Sequence, residues 1–233
     1  WLWLLSDDDE TYEGSIKKII SAIENVKEST GMIKFPLNFK KNEGKIFEVE
    51  SLEEFIDYYY NDPYFKRGDL VFMSNAIYNI NNLKPYLGYL FEFSYTYISY
   101  LIPVFVGLNN KNITVAFANE KIVKYLPPAD GGWKFSTVSL GLSNISHLPL
   151  NLSNKYYKRF LNITMTVTYP LLFKSILANY DEKNAKKYFK IIYNNVYTYY
   201  LSFIDKIIAN TFIIILKNNW LVLLLKKLKA FTK

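Results

Sequence analysis

The chain has 233 residues, half of them hydrophobic, enough to bury a sizeable core in one large domain or in a domain with an appendage. It has no cysteine and a single histidine, His147, which excludes a disulfide framework, a thiolate zinc site and a His-rich metal site and leaves little room for a Ser-His-Asp triad. The net charge of +7 is uneven: residues 1–62 carry 14 acids and 7 bases, residues 63–233 carry 7 acids and 21 bases. The two ends are therefore expected to face different partners, the basic part facing phosphate groups on lipid or nucleotide.

Five large apolar residues, Trp1 to Leu5, run into Ser6 and three carboxylates, Asp7, Asp8 and Asp9. An unbroken apolar run predicts a strand buried on both faces. Such strands present their ligands at the carboxyl end. Two like charges about 4 Å apart repel by roughly 4 kcal/mol at an effective dielectric near 20. A divalent cation removes that repulsion, and hard ions prefer oxygen ligands. The competing reading is a solvated acidic turn, with Asp7 capping the next helix. Because the apolar strand opens the sequence without neighbours, the chain is expected to be the later part of a longer protein. No basic segment precedes the apolar run, which is too short for a signal peptide.

Thr11 to Ser29 is predicted helical, with Ile16, Ile19, Ile20, Ile23 and Val26 forming one stripe. Met32 to Phe39 reads as a strand, which Pro36 assigns to an edge or a bulge. Lys45 to Glu50 is the returning strand. Ser51 with Glu54 three residues on forms a capping box that opens a helix through about Tyr60. Asp69 to Asn75 reads as a buried strand or a strand-to-loop junction. Ser94 to Leu108 reads as one apolar helix. Asn112 to Asn119 and Lys121 to Leu126 read as strands, and Pro127 to Trp133 as a loop with glycine hinges. From Leu171 onward two or three amphipathic helices are predicted, at about 171–179, 181–208 and 210–230.

The segment WLWLLSDDDE, with the order of elements after it, resembles family 2 glycosyltransferases of the GT-A fold, in particular the abequosyltransferase-like branch that builds surface polysaccharides. GDLVFMSNAIYNINNL (68–83) resembles the family's segment beside the acceptor site, and GGW (131–133) its loop over the active site. The resemblance covers about residues 1–170. It implies an α/β fold: a partial, Rossmann-like GT-A mixed sheet flanked by helices, with residues 171–233 as a basic amphipathic helical appendage. It also implies that the nucleotide-binding half is missing and that the chain alone is inactive.

The activity implied by the resemblance is that of a metal-dependent inverting transferase. It would move a sugar from a nucleotide-sugar to a glycan or lipid-linked acceptor, in the cytoplasm or at the inner face of the membrane. Mg²⁺ or Mn²⁺ would sit on Asp7, Asp8 and Asp9. Two registers stay open. Either Asp7 and Asp9 share one side of an extended backbone and hold the ion, or Ser6 takes the first position and leaves Asp8 as the ligand. Ser6, Ser74, Asn75 and Trp133 are the donor- and acceptor-binding candidates. Trp133 would cover a sugar ring or simply pack its loop. The general base would be Glu92, with Asp130 in reserve. Glu92 could equally be a solvated carboxylate at a helix N-terminus.

The segment Thr211 to Phe231 interleaves large apolar residues with Lys217, Lys226, Lys227 and Lys229. Lys217, Asn218 and Asn219 interrupt it near its middle. That suits an interfacial helix on anionic lipid better than a transmembrane span, or a helix packed on the domain. Four N-x-S/T sequons, at Asn112, Asn144, Asn151 and Asn162, motivate the alternative of an exported or membrane-associated structural protein. Nucleic acid is a weaker partner, with only two arginines, Arg67 and Arg159, and no basic stripe.

Overall fold

The computed structural model describes residues 1–7, 9–37, 46–62, 68–124, 135–178 and 184–231. Its elements, in chain order, begin with strands β1 (Leu2–Trp3) and β2 (Glu10–Thr11) and helix α1 (Ser15–Glu24). Strands β3 (Thr30–Lys34) and β4 (Phe47–Val49) follow, then α2 (Leu52–Tyr60) and β5 (Ala76–Tyr78). Helices α3 (Ile80–Leu83), α4 (Leu87–Glu92) and α5 (Ile102–Asn109) lead to β6 (Thr114–Phe117) and β7 (Val123–Lys124). The rest is helical: α6 (Phe135–Ser143), α7 (Asn154–Thr164), α8 (Tyr169–Ala178), α9 (Ala185–Ile192), α10 (Thr198–Tyr200), α11 (Phe203–Lys217) and α12 (Asn219–Phe231). The chain is thus mixed α/β, a mixed sheet flanked by helices.

The main sheet has the order β1-β5-β3-β6-β4. β3 pairs parallel with β6, and β5 lies antiparallel between β1 and β3. β1, β3 and β6 therefore run the same way, and their carboxyl ends share one edge of the sheet. Strand alternation sends Met32, Val115 and Tyr78 to one face, into a large core with α2, α5 and the later helices. It sends Ile33, Ala116 and Ile77 to the other, under Ile19 and Ala22 of α1. Both faces of β3 are covered, and all five of its residues are buried. The buried residues of α8, α9 and α11 join the same large core as the sheet.

Several local expectations are revised. β1 is a short edge strand, and Leu2 and Leu5 are exposed, so the opening run is not buried on both faces. β3 is an interior strand that stops before Pro36, where the missing amide costs no ladder bond. In α1 the stripe is split: Ile19 is buried, but Ile16 and Ile20 face solvent. Residues 69–75 form turns rather than a strand. The expected helix 94–108 is broken because Tyr97 takes a left-handed conformation at φ 64°. Only α5, with Pro103 in its first turn, is α-helical there. The long helix expected at 181–208 ends at Tyr200, and Ser202 caps a new one by accepting from the Asp205 amide at 3.1 Å. Within the first of these, Tyr193–Tyr197 form a π-helical turn. The capping box at α2 is present in modified form. Ser51 Oγ accepts from the Glu54 amide, while Glu54 Oε2 accepts from the amide of Glu50 rather than Ser51.

Gly141 of α6 shows how tightly these helices pack. A Cβ there would enter the Tyr97 ring and lie 3.0 Å from the Tyr95 carbonyl oxygen. Gly141→Ala is therefore expected to destabilise the fold by about 1–3 kcal/mol. Chemical denaturation checks this, and an unchanged midpoint would mean that the α6 contact is looser than the structure has it.

Candidate functional site

The end of β1 is tied to the turn before β5 by a chain of hydrogen bonds centred on Ser74. The indole Nε1 of Trp3 donates to the Ser74 carbonyl at 2.7 Å. The Ser6 amide donates to Ser74 Oγ at 2.9 Å, and that hydroxyl donates its proton to Asp9 Oδ2 at 2.7 Å. The Asp9 amide closes a turn by donating to the Ser6 carbonyl at 3.3 Å. Ser74 is 1% exposed and Asp9 is half-buried, while Asp7 is exposed. Ser6 and Asp9 are therefore joined across a turn. The period of two that would point Asp7 and Asp9 the same way belongs to extended chain and does not apply here.

The turn that holds Ser74 is itself braced from the sheet. Lys34 ends β3 with its ammonium under the sheet edge, 4% exposed. Its Nζ donates to the carbonyls of Leu70 at 3.0 Å and Phe72 at 2.8 Å. Burial pushes its pKa down to about 7, and nearby Asp69 opposes this only in part. Tyr100 Oη donates to the Val71 carbonyl. The Asn75 side chain donates to the Phe35 carbonyl at 2.7 Å, and the Phe35 amide returns a bond to the Asn75 carbonyl at 2.7 Å. Asn75 Oδ1 is buried with no hydrogen-bond partner among the described residues. With its amide nitrogen already committed to Phe35, that oxygen remains an open acceptor.

Of the candidates read from the sequence, Ser6, Asp9 and Ser74 are joined directly, and Asn75 follows next in the chain. Glu92 enters none of these bonds. It is the last residue of α4 and exposed, at the negative end of the helix dipole rather than at a helix start. Asp8, Asp130 and Trp133 lie outside the described residues. Among the described residues no three acidic or imidazole groups cluster tightly enough to hold a metal alone. Mg²⁺ nevertheless commonly uses one or two carboxylates and takes its remaining ligands from water and substrate phosphates. The oxygen chemistry of this turn fits that smaller demand.

Two features go beyond the sequence candidates. Lys34 carries one signal, a charge inside the apolar stretch GMIKFPL. The second is a basic cleft of about 450 Å³ lined by Lys155, Lys158 and Arg159 of α7 and Lys206 of α11, with Tyr60 and Tyr199. α7 supplies three of its cations, but Tyr60, Tyr199 and Lys206 come from elsewhere in the chain, and no local pattern joins them to α7.

No family model, curated protein or solved structure matches the chain.

Proposed function

We propose that the chain carries the metal-binding and acceptor side of a GT-A-type glycosyltransferase similar to family 2. It would transfer a sugar with inversion from a nucleotide-sugar to a saccharide or lipid-linked acceptor. The observation that carries this reading is the acid-bearing turn after β1, locked through Ser74 at the edge where three parallel strands end. That edge is where open α/β sheets bind ligands. The order of a strand, the acidic turn, α1, β3, β4, α2 and β5 supports the element order that the resemblance implies.

In this reading Mg²⁺ or Mn²⁺ would be held by Asp7 and Asp9 or, in the other register, by Ser6 and Asp8. The ion would neutralise charge on the departing diphosphate. Ser74 is a positioning residue. By donating to one Asp9 oxygen it fixes the orientation of the carboxylate. Lys34 acts one step further back and keeps the Leu70–Phe72 turn in place. Asn75, through its two bonds to Phe35, braces the same turn from the sheet. The acceptor proton would go to Glu92 or Asp130, and Glu92 would have to reach the site from an exposed helix end. Drawing on nucleotide-sugars, such an enzyme would act in the cytoplasm or at the inner face of the membrane.

Two of the four sequons lend the exported, glycosylated alternative little support, while Asn151 is exposed. The amide nitrogens of Asn112 and Asn144 are already used, donating to Tyr86 Oη and to the Leu140 carbonyl.

The test is turnover by the full-length protein with a panel of nucleotide-sugars and Mn²⁺. Release of a nucleoside diphosphate from at least one donor, abolished by chelation, is the expected result. Failure with every donor, in a folded protein given glycan and lipid-linked acceptors, would refute it.

A further inference from the structure

The segment expected to lie on anionic lipid, Thr211 to Phe231, is divided between α11 and α12. α11 exposes Phe203 (79%), Ile204 (70%), Ile207 and Ile214 (60%) along one side, while Ala209 and Leu216 are buried on the opposite side. The spacing of these residues puts them within one helical face. α12 adds exposed Trp220, Leu223 and Leu224. The two helices meet at Asn218, which caps α12 by accepting from the Trp220 amide at 3.2 Å, and they are bent by 105°. No straight membrane span runs through this pair, although its composition is apolar enough.

The basic cleft opens beside the start of α11. Lys206 belongs to both, as a wall of the cleft and as a flank of the apolar stripe. Among the cleft's described lining residues there are four cations and no carboxylate. Arg159 is committed to Asp57 and stacked 4.6 Å from the Tyr60 ring centre, so its position is fixed by the fold. Lys155 and Lys158 are exposed. The nearby acid, Asp205, accepts from the Ser202 and Tyr169 hydroxyls and is not directed at the lysines by those bonds.

We propose that α11 and this cleft form an interfacial site for an anionic lipid bilayer, with the apolar stripe at the acyl boundary and a lipid phosphate in the cleft. A protein partner fits less well, because cores of protein interfaces are depleted in lysine. Amphipathic interfacial helices carry lysine on their flanks and large apolar residues between, as here. The inference stands apart from the transferase reading and survives its failure. If both hold, the site would keep the enzyme beside a lipid-linked acceptor.

The experiment is co-sedimentation of the full chain with vesicles of phosphatidylcholine, with and without phosphatidylglycerol. Binding is expected only to the anionic vesicles, and it should weaken as salt rises. Lys155→Gln/Lys158→Gln/Lys206→Gln should lower partitioning roughly 100-fold, because each lysine near an anionic surface contributes a few-fold to tenfold. Ile204→Asn/Ile207→Asn should lower it at least about tenfold by removing buried apolar area. These side chains are on the surface, so thermal unfolding should be unchanged, and Lys155→Gln/Lys158→Gln alone should still show a loss. Equal binding to neutral vesicles, or indifference to the lysine changes, overturns the proposal. So does binding of inorganic phosphate in the cleft while vesicle binding is absent, which would make it a soluble-anion site. Self-association abolished by the isoleucine changes, without vesicle binding, would assign the stripe to a second copy instead.

Discussion

Raising the pH from 7 to 9 should stabilise this protein by about 2 kcal/mol through Lys34 alone. The ammonium is fully buried, and its pKa in the fold is about 7 against an ordinary value of 10.5. Between those values the unfolded chain holds a proton that the folded chain has released, so stability rises with pH. Below pH 7 the full burial penalty applies, and above 10.5 it is gone. Applied to this shift, the linkage relation gives about 2 kcal/mol of gain between pH 7 and 9, about 4–8 °C in midpoint for a chain of this size. Above pH 10 the trend should reverse. Tyr59, Tyr78 and Tyr100 are buried with raised pKa values, and the stability they contribute is lost once the unfolded chain's tyrosines ionise. Lys34→Met separates the effects. It removes the burial penalty but leaves the Leu70 and Phe72 carbonyls without their donor, at about 1–3 kcal/mol each. Near pH 7 these terms roughly cancel. At pH 9 the variant should be the less stable protein, with a flat profile between. Parallel unfolding curves for the two proteins across this range would show that the Lys34 ammonium is not buried.

Replacing Asp7, Asp8 and Asp9 together by Ala should reduce sugar transfer by the complete gene product roughly 100- to 1,000-fold, the scale on which loss of one preorganised charge-stabilising group acts. KM for the acceptor should change little, because the acids would act on the leaving diphosphate. Single changes distinguish the registers. If Asp9→Ala and Asp7→Ala are damaging, the pair spaced by two holds the ion. If Asp8→Ala alone is damaging, Ser6 occupies the first position. Ser74→Ala should fall between, costing about 10- to 100-fold, since it removes the proton that fixes the Asp9 carboxylate. Full activity in the triple variant would mean that the acidic turn takes no part in transfer.

How far the sequence reveals these features depends on the distance between the interacting residues. The Ser51–Glu54 cap, the alternating β3 and β6 segments and the stop at Asn61 are local, and their residue types suffice to read them. The acidic turn is legible as a cluster but not as a geometry. Its geometry involves Ser74, more than sixty residues away, whose hydroxyl bonds both Ser6 and Asp9. The helix breaks at Tyr97 and Ser202 escape a reading of the sequence for different reasons. A left-handed tyrosine has no sequence signature, whereas Ser202 with Asp205 three residues on is a capping pattern hidden inside a continuous apolar period. Lys34 and the α7–α11 cleft are illegible because lysine is ordinarily solvated, and only the tertiary fold decides which lysines are buried or gathered.

The central claim is that the turn after β1 holds a divalent cation together with a diphosphate. The most direct measurement is Mn²⁺ binding to the full chain, read from the resonance of the free ion, in the presence of a nucleoside diphosphate. The predicted result is a single Mn²⁺ whose affinity falls at least about tenfold in Ser74→Ala and is lost in the triple aspartate variant. Mn²⁺ bound equally by all three proteins, or by none, would contradict it.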